Sequence, residues 1–147
     1  MYQHILIPTD GSTTAEKAVA AGVDFAREAH ATVVFFTAVP EYPVPSEAEL
    51  LARRATPMHE YERKAGEAAR AILDKAARLA REASIPFETD YALNDHPSMA
   101  IIDAAKRHHC DAIFMATHGR TGLAKLVHGS ETQDVLVNSD IPTLVYR

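Results

Sequence analysis

Short apolar runs alternate along the chain with longer segments in which apolar residues recur at helical spacing. Runs of this length, rich in Ile, Val, Phe and Leu, are typical of parallel strands that are buried on both faces of a sheet. The pattern predicts five strands, at residues 2–8, 32–39, 87–93, 112–116 and 143–147. The third run is more polar than the others, which indicates a strand at the edge of the sheet.

The segments between the runs predict four main helices. Thr13 and Glu16 have the spacing of a capping box at the start of the first helix. A second helix is predicted at residues 60–84. Its polar face carries a row of alternating charge that is typical of a solvated surface, formed by Arg70, Asp74, Arg78 and Glu82. Pro97 suits the first turn of a third helix, and a final helix is predicted at residues 130–138.

The segment between the second strand and the second helix, residues 40–57, is rich in proline. Three prolines fall within the six residues from Pro40 to Pro45, which predicts a loop, and a short amphipathic stretch follows. Two interpretations stay open. The favoured one is a solvent-exposed connection, and the other is a flap over a ligand or a contact for a partner.

The alternation of strands and helices predicts an α/β fold. We expect one domain, residues 1–147, built on a five-stranded parallel sheet in the order 3-2-1-4-5 with helices on both faces. In open parallel sheets, ligands bind beyond the carboxyl ends of the strands, where the strand order reverses. If the first and fourth strands are neighbours, the loops at residues 8–12 and 117–122 face one crevice.

Glycines are concentrated around the second of these loops, at Gly119, Gly122 and Gly129, and Ser130 then opens the last predicted helix. Backbone N–H groups can cluster around a phosphate there without obstruction from Cβ atoms, and the positive end of the helix dipole favours an anion. Glycines at such a place also permit a tight turn from strand to helix. The loop has no Walker lysine, so the glycines alone leave both interpretations open.

Three stretches together resemble the universal stress protein family, and the resemblance spans the chain. They are ILIPTDGS at residues 5–12, DAIFMATHGRTG at residues 111–122, and Gly129-Ser130 before the final helix. The nucleotide-binding branch of that family carries a glycine, two residues, a second glycine, nine residues, and then Gly-Ser or Gly-Thr. This chain has Ala116 in place of the first glycine, which adds a methyl group where the backbone should approach the ribose or phosphates.

The resemblance implies a Rossmann-like fold of the adenine nucleotide alpha hydrolase type, with a site for ATP or another adenine nucleotide. Pro8, Thr9 and Asp10 would wall the adenosine pocket, with Asp10 accepting hydrogen bonds from ribose hydroxyls. The backbone of Ala38 would read the adenine edge. Backbone groups around the ribose and α-phosphate would come from Ala116, Thr117, His118, Gly119 and Arg120. The β- and γ-phosphates would be held by Gly129, Ser130 and Glu131.

Glu131 is a second departure from the family pattern, because a small or apolar residue is more usual at that position. A carboxylate beside a triphosphate repels it unless Mg²⁺ intervenes. Glu131 therefore points either to a nucleotide that is bound with Mg²⁺ or to weaker binding.

Composition and charge narrow the class of partner. The chain has 15 Lys and Arg residues against 20 Asp and Glu, a formal net charge of −5, which disfavours nucleic acid and anionic membranes as partners. No apolar run approaches the roughly 20 residues of a membrane span, and the N-terminus lacks a signal-peptide pattern. With a single cysteine, Cys110, these features predict a cytoplasmic protein.

The run His108-His109-Cys110-Asp111 looks superficially like a set of metal ligands. Adjacent residues at a helix end point about 100° apart, however, so the run is better interpreted as a helix terminus with a small buried cysteine. His118 is different because it lies in the predicted site loop. A ligand contact and a structural hydrogen bond are equally favoured for it.

These features favour an adenine-nucleotide-binding protein that acts in stress-response regulation or signalling and is not an enzyme. One alternative is slow ATP hydrolysis, with Asp10, His118 and Ser130 in one crevice. Another is a nucleotide-free dimeric interaction module. A phosphoacceptor receiver domain is disfavoured because the last strand has no lysine. That strand, residues 143–147, has an open edge and predicts a homodimer. A client protein is also expected, and the sequence does not identify it.

Overall fold

The computed structural model describes residues 1–117 and 129–147 and contains a five-stranded sheet in the order β3-β2-β1-β4-β5. All neighbouring strands are parallel. The strands are β1 (His4–Pro8), β2 (Thr32–Val39), β3 (Phe87–Leu93), β4 (Ala112–Ala116) and β5 (Thr143–Tyr146). The helices are α1 (Thr13–Ala29), α2 (Glu47–Leu51), α3 (Met58–Glu82), α4 (Pro97–Arg107) and α5 (Gly129–Asn138).

The predicted fold class and strand order are confirmed, and three strands have the predicted bounds. The first strand is shorter than predicted. It begins at His4, and the backbone N–H of Gln3 before it donates to the carboxylate of Asp111. The last strand ends one residue early, at Tyr146. The polar third strand lies at an edge of the sheet, as its pattern predicts.

Helices cover both faces of the sheet because successive side chains of a strand point to opposite faces. In β1, Ile5 and Ile7 pack into a core with residues of α1 and α3, whereas Leu6 packs with residues of α4 and α5. All three side chains are fully buried. β1 pairs with β2 on one side and with β4 on the other, so it is the central strand of the sheet.

The predicted capping box at the start of α1 is wrong by one residue. Ser12 is the N-cap, and its side chain accepts a hydrogen bond from the backbone N–H of Ala15 at 3.2 Å. The backbone of Ser12 is extended, so Thr13 is already the first helical residue. Glu16 therefore does not cap the helix. Its side chain forms an ion pair with Lys75 of α3, at 2.9 Å.

Residues 40–57 contain α2, a single short helix that the proline-rich pattern did not predict. Ser46 and Glu49 form a capping box at its start, and none of its residues is buried. The base of the segment is closed by two tyrosine hydroxyls. Tyr42 donates to the carbonyl of Thr56, and Tyr61 donates to the carbonyl of Pro40 at 2.7 Å. The structure thus agrees with a solvent-exposed connection.

The side chains of His108, Cys110 and Asp111 lie in three different surroundings. His108 ends α4, and its Nε2 lies 2.9 Å from the carboxylate of Asp90. Cys110 is buried. The Asp111 carboxylate accepts from the backbone N–H groups of Gln3 and His4. These side chains therefore do not converge on a common point, as expected for a helix terminus.

No helix within residues 1–117 and 129–147 is both long enough and apolar enough to cross a bilayer.

Candidate functional site

The strand order reverses at β1, which has β2 on one side and β4 on the other. In doubly wound sheets, this reversal opens a crevice at the carboxyl ends of the two central strands. The loop after β1 and the loop after β4 therefore leave the sheet side by side, as the sequence analysis expects.

The loop after β1 is held by its own hydrogen bonds. The backbone N–H of Thr9 donates to the carbonyl of Phe36 in β2 at 2.8 Å, which keeps the loop against the sheet. Thr9 Oγ1 then accepts from the N–H of Gly11 at 3.2 Å, and Asp10 Oδ1 accepts from the N–H of Ser12 at 2.9 Å. Gly11 has a φ of 80°, a left-handed conformation that favours glycine.

This arrangement presents Asp10 to solvent in a fixed position. Its side chain is exposed, and the turn that it forms with Ser12 leads directly into the N-cap of α1. A carboxylate held in this way is suited to accept hydrogen bonds from hydroxyl groups of a ligand. Pro8 lies beside it at the end of β1, and Thr9 is buried beneath the loop.

Ala38 lies where β2 extends beyond its neighbour. The last pair between the two strands is Pro8 with Phe36, so residues 37–39 of β2 continue past the end of β1. Backbone groups alternate in direction along a strand, and the carbonyl of Phe36 faces β1 while that of Val39 accepts from Asn94 on the β3 side. The N–H and C=O of Ala38 therefore face the gap left where β1 has ended.

The end of β4 is tied to both of its neighbours. The carbonyl of Ala116 accepts a hydrogen bond from Thr132 Oγ1, in the first turn of α5, at 3.0 Å. The backbone N–H of Thr117 donates to the carbonyl of Tyr146 in β5 at 2.9 Å. The start of α5 is thereby fixed directly beside the end of β4. The backbone N–H of Thr117 is already engaged in pairing with β5.

Glu131 makes a contact that sequence reasoning did not anticipate. Its Oε2 accepts from the backbone N–H of Ser98, in the first turn of α4, at 2.8 Å. The N-terminus of α4 otherwise has no side-chain cap, because His96 makes no such hydrogen bond. A carboxylate is stabilised at the positive end of a helix. Glu131 therefore caps the neighbouring helix, and one of its oxygens is already engaged in a hydrogen bond within the protein.

The structure brings together the described part of the predicted site along one edge of the sheet. That part comprises Pro8, Thr9, Asp10, Ala38, Ala116, Thr117 and the start of α5, with Glu131 beside it. Three predicted residues, His118, Gly119 and Arg120, lie outside the described residues, as do the side-chain surroundings of Gly129 and Ser130. Of the two residues that sequence reasoning missed, Thr132 had a detectable signal, since it is a small polar residue in a first helical turn. Ser98 had none, because its partner comes from a different helix.

Chemically, this edge offers an exposed carboxylate, a strand with open backbone groups and the N-terminus of a ten-residue helix. Such a helix terminus favours an anion. Among the residues that can be described, His, Cys, Asp and Glu form no group of three or more that could hold a metal ion. The arrangement defines an α/β protein of the doubly wound class, in which ligands generally bind at the switch point of the sheet.

Comparison with known proteins identifies the family. The profile described as "Universal stress protein family" matches residues 1–147, so the chain belongs to the universal stress protein family. The chain is also similar to universal stress protein MJ0531 of Methanocaldococcus jannaschii. The two are 30% identical over 152 residues, which cover 100% of this chain and 83% of that protein.

Solved structures of universal stress proteins share the fold. The Lactobacillus plantarum protein UspA superposes with a TM-score of 0.79 at 21% identity, covering 99% of this chain and 98% of its own. A universal stress protein solved in complex with cAMP superposes with a TM-score of 0.71 at 21% identity. The match covers 99% of this chain and 97% of that protein. A universal stress protein from Archaeoglobus fulgidus solved in complex with dAMP superposes with a TM-score of 0.69 at 18% identity. The match covers 99% of this chain and 98% of that protein.

Proposed function

We propose that the protein binds an adenine nucleotide at the carboxyl edge of β1, β2 and β4 and acts as a regulatory module. The observation that carries the proposal is that the open backbone of Ala38 and the exposed carboxylate of Asp10 both lie at the carboxyl edge of the sheet. An adenine ring offers a donor and an acceptor along one edge, which a strand N–H and C=O pair can match. Asp10 then accepts from the ribose hydroxyls.

The start of α5 supplies the phosphate end of the proposed site. Gly129 and Ser130 open this helix, and the Thr132 hydrogen bond to Ala116 fixes it beside β4. The helix dipole and the free N–H groups of the first turn favour phosphate there. The two relatives that were solved with cAMP and dAMP support an adenine nucleotide as the ligand class.

We propose a regulatory role instead of catalytic turnover of ATP, because the polar groups at this edge are held in place by hydrogen bonds within the protein. The hydrogen bonds of the loop after β1 are made within the protein, and Glu131 is engaged with α4. Asp10 is also bound to the N–H of Ser12, which holds it as an acceptor. Any hydrolysis of ATP is expected to be far slower than a typical enzyme turnover of ~10 s⁻¹.

Calorimetric titration with ATP, AMP and cyclic AMP tests the proposal in the wild-type protein and in Gly129→Asp. We expect the substitution to lower the affinity for ATP at least about 100-fold, because the new carboxylate occupies the phosphate position. AMP should lose less affinity than ATP, since its single phosphate lies closer to the ribose. Ala116→Gly should raise the affinity for the nucleotide, because it removes a methyl group from the place where the backbone approaches the ribose or phosphates.

The matched control is Ala20→Asp, which adds the same charge at an exposed position in α1. Circular dichroism should be unchanged in all variants, and aspartate at a helix N-terminus favours the helix instead of disrupting it. Equal ATP affinity in the wild type and Gly129→Asp would show that the phosphate site is misplaced. If the wild type binds none of the three nucleotides, the proposal fails and a nucleotide-free interaction module is preferred.

A further inference from the structure

A cavity of about 260 Å³ lies between α1 and α3, on the side of the sheet that Ile5 and Ile7 face, and it shares Thr9 with the candidate site. Its walls come from the loop after β1 and from both helices. They are formed by Thr9, Gly11, Glu16, Val19, Ile72, Lys75, Ala76, Arg78 and Leu79. Four of these side chains are aliphatic, so most of the interior is apolar.

The cavity is lined by two positively charged side chains, Lys75 and Arg78, and one negatively charged side chain, Glu16. Lys75 is paired with Glu16 at 2.9 Å, and the two charges offset each other. Arg78 has no carboxylate within ion-pair distance among residues 1–117 and 129–147. The cavity thus carries one uncompensated guanidinium, a group that binds a carboxylate with two parallel hydrogen bonds.

Thr9 adds a polar group at the end of the cavity nearest the sheet. It is buried, and its Oγ1 already accepts from the N–H of Gly11. The hydroxyl hydrogen remains available as a donor to a ligand. Gly11 and Ile72 also meet closely at this end, since a Cβ added to Gly11 would lie 3.1 Å from Ile72 Cγ1. Gly11 and Ile72 therefore border the cavity at this end, and Arg78 lines it from α3.

We infer that this cavity is a binding site for a small monocarboxylate with an apolar body, such as an aryl-substituted short-chain acid. An apolar cavity of ~150 Å³ holds a benzene ring. A volume of about 260 Å³ therefore holds a ring together with a short tail that ends in a carboxylate. The apolar body contacts Val19, Ile72 and Leu79, and the carboxylate binds Arg78.

The probe for a test is 3-phenylpropionate, with the uncharged 3-phenylpropanamide as its control. We expect the acid to shift the methyl NMR signals of Val19, Ile72 and Leu79 and to bind with a Kd on the order of 1 mM, which is typical of a ligand of this size. The amide should bind several-fold more weakly because it lacks the charge that Arg78 recognises.

Two variants separate the carboxylate contact from general attraction to α3. Arg78→Gln should weaken the acid about 3- to 10-fold and leave the amide unchanged, whereas Arg70→Gln, on the same helix but outside the cavity, should change neither. Ala76→Ile fills the interior and should abolish both, with circular dichroism to verify folding.

The inference is overturned if no methyl signal of the cavity shifts at 10-fold the expected Kd. It is equally overturned if the shifts centre on residues outside the cavity, or if Arg78→Gln binds the acid as tightly as the wild type does. Because the readout is local to α1 and α3, these outcomes do not depend on whether a nucleotide binds at the edge of the sheet.

Discussion

The thiol of Cys110 illustrates how the position of one residue in the fold sets its chemistry. It follows the end of α4 and is buried against the core that α4 and α5 form with the sheet. Burial raises the pKa of the Cys110 thiol to about 12, and the carboxylates of Asp111 and Glu88 add to the shift. The neighbouring His108, by contrast, is drawn to the carboxylate of Asp90 on β3. His108 and Cys110 are only two residues apart, yet their side chains have different surroundings because the chain turns between them at His109, which has a φ of 53°.

The raised pKa of Cys110 predicts two measurable effects. Alkylation by iodoacetamide at pH 8 should be very slow in the folded protein and rapid in urea, because the thiolate is the reactive form. Above pH 9, the unfolded chain releases the thiol proton while the folded chain retains it, so the free energy of unfolding should fall as pH rises from about 9 to about 12.

The control for this effect is Cys110→Ala, which removes the titrating group. Its free energy of unfolding should decline less steeply than that of the wild type over the same pH range. Lysines and tyrosines also titrate there, but they are common to both proteins and cancel in the comparison. Identical slopes for the two proteins, or rapid alkylation of the folded wild type, would contradict the assignment.

Individual elements were predictable to different degrees. Most strands followed from the sequence because parallel strands buried on both faces leave continuous apolar runs, and their order followed from the rules for connections between alternating strands and helices. The start of α1 did not, because Ser12 and Thr13 are adjacent candidate caps and the turn of Asp10 decides between them. The helix α2 carried a readable Ser46–Glu49 signal, which the surrounding prolines outweighed.

The candidate site shows the same division. Asp10 and the glycine-serine pair could be found from the resemblance to a family. Ala38 was also indicated by the resemblance, but the reason that its backbone groups are open depends on where β1 stops, and the contact of Glu131 depends on how α4 packs beside α5. Contacts of this kind join residues that are distant in sequence, so no local pattern contains them.

Close packing of α1 on the sheet gives a prediction at the level of elements. A Cβ added to Gly22 would lie 2.6 Å from Ile7 Cδ1 and 3.1 Å from Phe114 Cδ1. Replacing a helical glycine with alanine normally stabilises by about 1 kcal/mol, but overpacking a core costs about 1–3 kcal/mol. Because both contacts are in the buried core, we expect Gly22→Ala to destabilise by about 1 kcal/mol, measured by urea unfolding.

The matched comparison is Gly66→Ala, at a glycine inside α3. An added Cβ there would lie 2.8 Å from the hydroxyl oxygen of Tyr91. This atom is the far end of a half-buried side chain that can rotate away, so the gain in helix propensity should prevail. Gly66→Ala should be neutral or slightly stabilising. The packing argument fails if both substitutions have the same effect.

At the scale of the whole molecule, the two edges of the sheet differ in how they are protected. β3 carries the charged residues Glu88 and Asp90, which discourage pairing with another strand. β5 has the sequence Thr-Leu-Val-Tyr and no charge, and Val145 is 40% exposed. The adjacent α5 adds two further exposed apolar side chains, Leu136 and Val137. This asymmetry favours association through β5.

We therefore propose that the protein forms a two-fold homodimer in which β5 pairs with β5 of a second copy. In such an isologous contact, each Val145 lies near its symmetry mate, so Val145→Lys brings two like charges together. We expect light scattering at about 50 μM to give a dimer for the wild type and a monomer for Val145→Lys. Val44→Lys, at an apolar position that is 89% exposed in the segment before α2, should remain dimeric. A wild type that is monomeric at this concentration, or a Val145→Lys variant that is still dimeric, would exclude β5 as the interface.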